Sequence, residues 1–198
     1  MTTVTTVGST DLSTPRQRLI DGLTASIEAV GYRDTTVADI VRHARTSRRT
    51  FYEQFAGKDA CFVALLTDEN AKMVRQISAA VDPAAPWEDQ VRQAVEAWIA
   101  CAESSPVITV SWIRDLPSLG SAARQLQREL MEAFIVMLRT LWDTDEYRAL
   151  GVGPVTRQLA ITLLGGLREL IAATVEDGGR VNDITEVAVR ASVALLRS

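Results

Sequence analysis

"TTVADIVRHARTSRRTFYEQF", residues 35–55, contains two helix starts and very little chain between the helices they open. Thr36 with Asp39 three residues on has capping-box spacing, and Val37, Ile40, Val41 and Ala44 mark the apolar stripe of a helix about two turns long. Ser47 is the next capping residue. It opens a second short helix whose Phe51 and Phe55, at i and i+4, face inward. Only Arg45 and Thr46 lie between the two. Two short helices joined by so tight a turn, with a third packed across them, make a helix-turn-helix, whose second helix enters the DNA major groove.

The residue types meet what such a helix needs: an apolar side that holds its angle and an outer side of donors for phosphates and base edges. Phe51 and Phe55 are the inner side. Arg48, Arg49, Thr50 and Tyr52 stand at or near the exposed N-terminal turn. Arginine bonds guanine O6 and N7 bidentately, worth about 1–3 kcal/mol of discrimination; Thr50 suits a base or thymine methyl, and Tyr52 a phosphate. Thr36 and Lys58 each begin a helix, where N–H groups and the macrodipole favour a phosphate oxygen. His43, the one histidine, ends the first short helix and reads as a surface residue. Charge agrees with this placement. Residues 14–58 hold eight Arg or Lys against five Asp or Glu, a surplus of three in a chain of net charge −4, so the remainder carries −7.

Outward from this stretch the periodicity is helical nearly everywhere, which predicts an all-α chain. Thr14, Pro15 and Gln17 announce a first helix with Leu19, Ile20, Leu23, Ile27 and Val30 on one face, ended by Gly31. Residues 1–13, Thr-rich, lack both the basic start and the apolar run of a secretory signal and read as a flexible tail. Beyond Lys58 the spacing predicts longer helices at about 58–81, 86–104, 106–115, 118–143, 154–176 and 183–197, broken at Pro or Gly signals.

Residues 14–66 resemble the DNA-binding domain of the TetR family of bacterial transcriptional regulators. "GYRDTTVADIVRHARTSRRTFYEQFAGKDACFVAL" follows that family's order: a glycine and aromatic, a Thr-capped helix, a Ser-capped recognition helix with Thr, an aromatic and Tyr, then Phe, Lys and an acidic residue. The resemblance implies a helix-turn-helix domain over 14–57 and a helical effector-binding and dimerisation domain over 58–198. It implies a homodimeric, cytoplasmic repressor that binds double-stranded operator DNA through Thr36, Arg45, Thr46, Ser47, Arg48, Arg49, Thr50, Tyr52 and Lys58, with no cofactor. One departure stands out: the family usually carries glycine in the turn, where this chain has Arg45. A non-glycine residue at positive φ costs on the order of 1 kcal/mol, so either the turn differs or Arg45 makes a phosphate contact that offsets the strain.

In the C-terminal part Trp98, Trp112, Ile113, Leu116, Met131, Phe134 and Met137 are the adaptable and aromatic side chains that line small-molecule sites, and equally those of an ordinary helical core. They predict a largely apolar effector. Glu103, Arg114 and Asp115 lie close by, as polar partners of an effector or as paired surface charges. Apolar residues surround the helix in "LAITLLGGLRELIAATV", and Gly165-Gly166 sits inside it at about 1 kcal/mol each relative to alanine, a cost that predicts close approach of another helix. The expected dimer face is Leu163, Gly166, Leu167 and Leu170 with Ile184, Val187, Ala188, Ala191 and Leu195 of the last helix. Nothing here reads as membrane-spanning, because the longest mostly apolar stretches, such as "LAITLLGGL", are far shorter than the roughly 18 residues of a span. Cys61 and Cys101 lack disulfide or metal spacing, and one histidine with scattered carboxylates assembles neither a catalytic relay nor a metal set, which argues against an enzyme. The alternative reading is a helical ligand-binding or interaction protein whose turn, altered at Arg45, no longer binds DNA specifically.

Overall fold

Three hydroxyl residues cap the first three helices, each at its expected spacing. Thr14 Oγ1 accepts from the Gln17 N–H at 3.1 Å and opens α1 (Pro15–Asp34). Thr36 and Asp39 close both halves of a capping box at the start of α2 (Val37–His43), and Ser47 Oγ accepts from the Thr50 N–H at 3.1 Å to open α3 (Arg48–Gln54). The computed structural model describes residues 13–142 and 145–197, and among these it is all-α, with ten α-helices and no strand. Residues 1–12, the Thr-rich segment read as a tail, lie outside the described residues.

The stop predicted at Gly31 is a kink: Gly31 takes φ 79°, and helical geometry resumes to Asp34. Tyr32, one residue on, is thereby turned into the core, where its ring stacks on Phe62 at 4.1 Å. The α1–α2 contact is tightest at Gly22, where a Cβ would stand 2.6 Å from the Ile40 carbonyl oxygen and 2.9 Å from the Ala44 nitrogen. No spacing rule pointed to that glycine.

α4 (Lys58–Ala80) joins head to body as one continuous rod. Its Phe62 and Cys61 are buried under α1, and its Met73 and Ile77 lie in the core of the body. α5 (Trp87–Ser104), α6 (Pro106–Arg114), α7 (Ser121–Trp142), α9 (Arg157–Glu176) and α10 (Thr185–Leu196) surround a second core that includes the fully buried Leu116, Ile135, Leu164 and Ile171. α5 and α10 are tied by Arg92–Glu186 at 2.6 Å and by Arg197–Glu88.

The departures from expectation are local. The helix expected from 118 starts at Ser121, because a 3₁₀ turn (Leu116–Leu119) and Gly120 at φ 86° come first. α8 (Asp145–Ala149) was not anticipated, since five residues are too few to show a period. The helix expected from 154 begins at Arg157, where Thr156 caps it by accepting from the Leu159 N–H. α9 also corrects the reading on membrane length: by length and composition alone it is long and apolar enough to cross a bilayer, with a mean hydropathy of 1.3 over an 18-residue window. Judging by the longest mostly apolar stretch missed this because Arg168 and Glu169 end that stretch before apolar residues resume at Leu170. Here α9 packs against α6, α7 and α10 in the body. Cys61 and Cys101 are free thiols, and burial pushes the Cys61 thiol up to about 12.

Candidate nucleic-acid interface and ligand cavity

The inner side of α3 is as expected, with Phe51 and Phe55 buried against each other and Tyr52 standing 59% exposed outside. The turn keeps its left-handed backbone: Arg45 takes φ 49°, and among the described residues it is the non-glycine residue at positive φ. Thr46 donates its N–H to the Val41 carbonyl at 2.9 Å, which closes the turn. Ser47 and Thr50 hydroxyls lie 3.0 Å apart at the start of α3.

Ion pairing divides the cations of the head into two sets. Arg16 pairs with Asp68, Arg33 with Asp115, Arg42 with Asp39, and Arg49 with Glu53 at 3.0 Å. Lys58 spends its ammonium on the carbonyls of Tyr32, Arg33 and Thr35 at 2.8, 3.2 and 2.9 Å, so it locks the end of α1 instead of facing outward as a phosphate ligand. Thr36 is likewise occupied: the Asp39 carboxylate accepts from both its N–H and its hydroxyl, and these bonds hold Asp39 below the usual carboxylate range. Among the described residues Arg18, Arg45 and Arg48 have no ion pair, and Arg45 and Arg48 are exposed on either side of Ser47. Arg18 lines a surface groove with His43 and Arg45. Nothing in the sequence pattern singled out Arg18, because only the fold carries it beside the turn.

A polar joint links this head to the body. Tyr32 donates its hydroxyl to Asp59 at 2.5 Å, and burial together with that bond raises its phenol well above the ordinary range. Arg33 Nε donates to the buried Asp115 at 2.8 Å, just past the end of α6. Arg114 makes paired bonds to Glu169 and to Glu176 of α9, which hold both carboxyls below their ordinary value. Glu103 pairs with Arg180 at 3.8 Å. The three charges flagged near the apolar region are thus all engaged, though not with one another.

Between α4, α5, α6, α7 and α9 lies a mainly apolar cavity of ≈ 470 Å³, part of it open to solvent. Of the sequence candidates, Trp98, Trp112, Ile113, Met131 and Phe134 line it, with Trp98 stacked on Phe134 at 5.5 Å. Leu116 does not; it is fully buried beneath the α6–α7 connection. Met137 lines a neighbouring apolar crevice of ≈ 350 Å³ that shares Trp98 and Leu164. Met73, Leu130 and Ile171 complete the apolar wall, and Thr109, Gln127 and Arg168 are its polar members. These were missed because Met73 comes from the helix shared with the head and Arg168 from one read as interface. The cavity is too narrow for more than about a water molecule until its side chains part.

On α9 and α10 the structure divides the expected dimer residues. Leu163, Leu167 and Ala188 are buried inside the chain itself, a correction that follows from the period of the helix: they occupy its inner face. Gly166, Val187 and Ala191 are exposed, and Leu170, Ile184 and Leu195 are half-buried. A Cβ at Gly165 or Gly166 would meet nothing within 4 Å, so among the described residues no helix approaches there.

Residues 19–65 match the model of a family described as bacterial regulatory proteins, tetR family. No curated protein matches the sequence. Among solved structures, the fatty acid degradation regulator FadR from Bacillus halodurans aligns with a TM-score of 0.79 at 17% identity, over 94% of this chain and 97% of that one. The transcriptional regulator FadR from Bacillus subtilis, in complex with stearoyl-CoA, gives 0.77 at 14% identity, over 91% and 97%. A tetR-family regulator from Shewanella sp. PV-4 gives 0.67 at 17% identity, over 93% and 96%. At these identities the likeness is one of fold.

Proposed function

We propose, from its place in the tetR family of bacterial regulatory proteins, that this chain is a cytoplasmic homodimeric repressor released from near-palindromic operator DNA by a small, largely apolar effector. The observation that carries the reading is the unpaired pair Arg45 and Arg48, exposed on either side of the α3 cap while Arg16, Arg33, Arg42, Arg49 and Lys58 are engaged. Free guanidinium groups at that end of a recognition helix serve phosphates and base edges. The competing reading, a protein without specific DNA binding, is favoured if Arg45 disables the turn. The left-handed backbone kept at Arg45 supports the regulator reading over it.

Dimerisation would use the exposed sides of α9 and α10. Ile161, Gly165 and Gly166 on one helix and Val187 and Ala191 on the other leave an apolar, small-residue surface that a second copy can approach closely. Two-fold symmetry then places two α3 helices in successive major grooves and calls for a near-palindromic site.

Release follows from the joint. α4 and α6 each reach both the cavity, through Met73 and through Thr109 and Trp112, and the head, through Lys58 and through Asp115 beside α6. A ligand that parts the cavity walls shifts these rods and with them the spacing of the heads. A hundredfold preference for the non-binding spacing corresponds to about 2.7 kcal/mol. The solved neighbour from B. subtilis holds stearoyl-CoA, which makes acyl compounds a first class to test. The deciding experiment is selection from a random duplex pool at near-physiological and higher salt. A near-palindromic site that survives competition supports the reading; no enrichment at either salt overturns it.

A further inference from the structure

Arg168 sits in the cavity without a counter-ion. Its guanidinium lies 6.0 Å from the centre of the Trp112 ring, and among the described residues no carboxylate pairs with it. Its sequence neighbour Glu169 is taken by Arg114 at 2.8 and 2.9 Å. Partial burial lowers the Arg168 guanidinium from its ordinary range. A second donor is unmet in the same cavity: Trp112 Nε1 is buried with no acceptor. The indole N–H is a buried donor left unpaired, which is costly, and the half-buried Arg168 guanidinium lining the same cavity has no counter-ion, so the pair suits a group that accepts from both.

A compact anion with two acceptor oxygens fits. A carboxylate accepts two parallel N–H bonds from a guanidinium and has lone pairs left for an indole N–H. The walls set the remainder of the ligand, since Trp98, Phe134, Leu130 and Met131 offer only ring faces, aliphatic carbon and sulfur. We propose that the effector is an amphipathic carboxylic acid, its carboxylate on Arg168 and the Trp112 indole N–H, its apolar body along the Trp98–Phe134 stack. This rests on reading the cavity as the effector site. A neutral ester lacks the anionic head and loses the charge-assisted bonds; in a coenzyme A thioester the acyl carbonyl is neutral and the anionic phosphates stand beyond the long pantetheine arm, so the free acid, not its coenzyme A conjugate, is the species recognised.

Calorimetric titration of the full chain with decanoate, 1-decanol and decanoyl-CoA tests this without DNA. The wild type is expected to bind decanoate on the order of tenfold more tightly than 1-decanol, the worth of one charge-assisted contact. Arg168→Met, which keeps the volume and removes the charge, should bind acid and alcohol about equally. Trp112→Phe should weaken decanoate a few-fold and leave 1-decanol unchanged, and it carries the test if Arg168→Met melts early. Equal binding of acid and alcohol by the wild type, an acid preference that survives Arg168→Met, tighter binding of decanoyl-CoA than of the acid, or no binding of any of the three would each overturn the proposal. Failure of duplex selection would overturn the regulator reading while leaving this binding pattern intact, so the two fail separately.

Discussion

Glycine marks opposite situations in the head and in the body. At Gly22 the α1 and α2 backbones are so close that a single added carbon would lie 2.6 Å from a carbonyl oxygen. At Gly165 and Gly166 an added carbon meets nothing among the described residues. The first is needed for the head to close on itself. The second leaves a body surface open among the described residues, and on the dimeric reading the cost of about 1 kcal/mol per glycine in a helix is offset by close approach of a second copy. The head is therefore complete within one chain, and the body, on the dimeric reading, is not.

Substitution by alanine at each site gives the sharpest separation. Gly22→Ala forces α1 from α2 and is expected to cost about 3 kcal/mol, seen as a fall in the thermal midpoint with loss of DNA binding. Gly165→Ala is expected to raise helix stability by up to about 1 kcal/mol and to weaken self-association, read by sedimentation at low concentration. A stable Gly22→Ala protein, or a Gly165→Ala protein that dimerises as before, would break the comparison.

Next in size is the pair Arg48→Ala with Arg49→Ala. Removal of both should lower affinity for a selected operator by about 2 kcal/mol, read by anisotropy, with the dimer and the melting point unchanged. Most of the loss should follow Arg48, since Arg49 is already paired with Glu53. Unaltered affinity would mean that α3 does not read DNA. Arg45→Gly is smaller and has two opposed readouts. Glycine relieves a residue at φ 49° and is expected to stabilise the head by about 0.5–1 kcal/mol. If Arg45 meets a phosphate, the same change lowers the slope of log affinity on log salt by about 1 per protomer. A stabilised protein with an unchanged slope would assign Arg45 to strain alone.

The same contrast explains what could be read from the chain beforehand. Head structure is written in local rules: Thr14, Thr36 and Ser47 cap at fixed offsets, and Phe51 and Phe55 repeat at i and i+4, so elements and inner faces were legible without tertiary knowledge. Gly22 and Arg18 were not, because their roles depend on which helix crosses α1. Helix positions in the body were also legible, but not the facing of each residue. α9 is apolar nearly all round, so periodicity did not tell that Leu163 and Leu167 turn inward, or that Arg168 lines a cavity. Lys58 shows the same limit from the other side: at a helix start it resembles a phosphate ligand, until three carbonyls at the end of α1 are found within its reach.

The smallest effect is on pH, and here too head and body differ. In the head Asp39 is held low by its bonds to Thr36; in the body Glu169 and Glu176 are held low by Arg114, and Glu186 by Arg92. Each carboxyl binds its proton less readily folded than unfolded, so its contribution is fully present above the ordinary carboxylate range, near pH 4 to 4.5, and is lost as pH falls through the lower folded value. All four groups are surface-exposed or nearly so, and salt screens them, which keeps each contribution small. Thermal midpoints followed from pH 7 to pH 3 should stay level until about pH 5 and then fall. Glu169→Gln with Glu176→Gln should flatten that fall more than Asp39→Asn does, because the body loses two ion-paired carboxylates and the head one capping carboxylate. An equal or larger flattening by Asp39→Asn would place the acid-sensitive contacts in the head and reverse the order argued here.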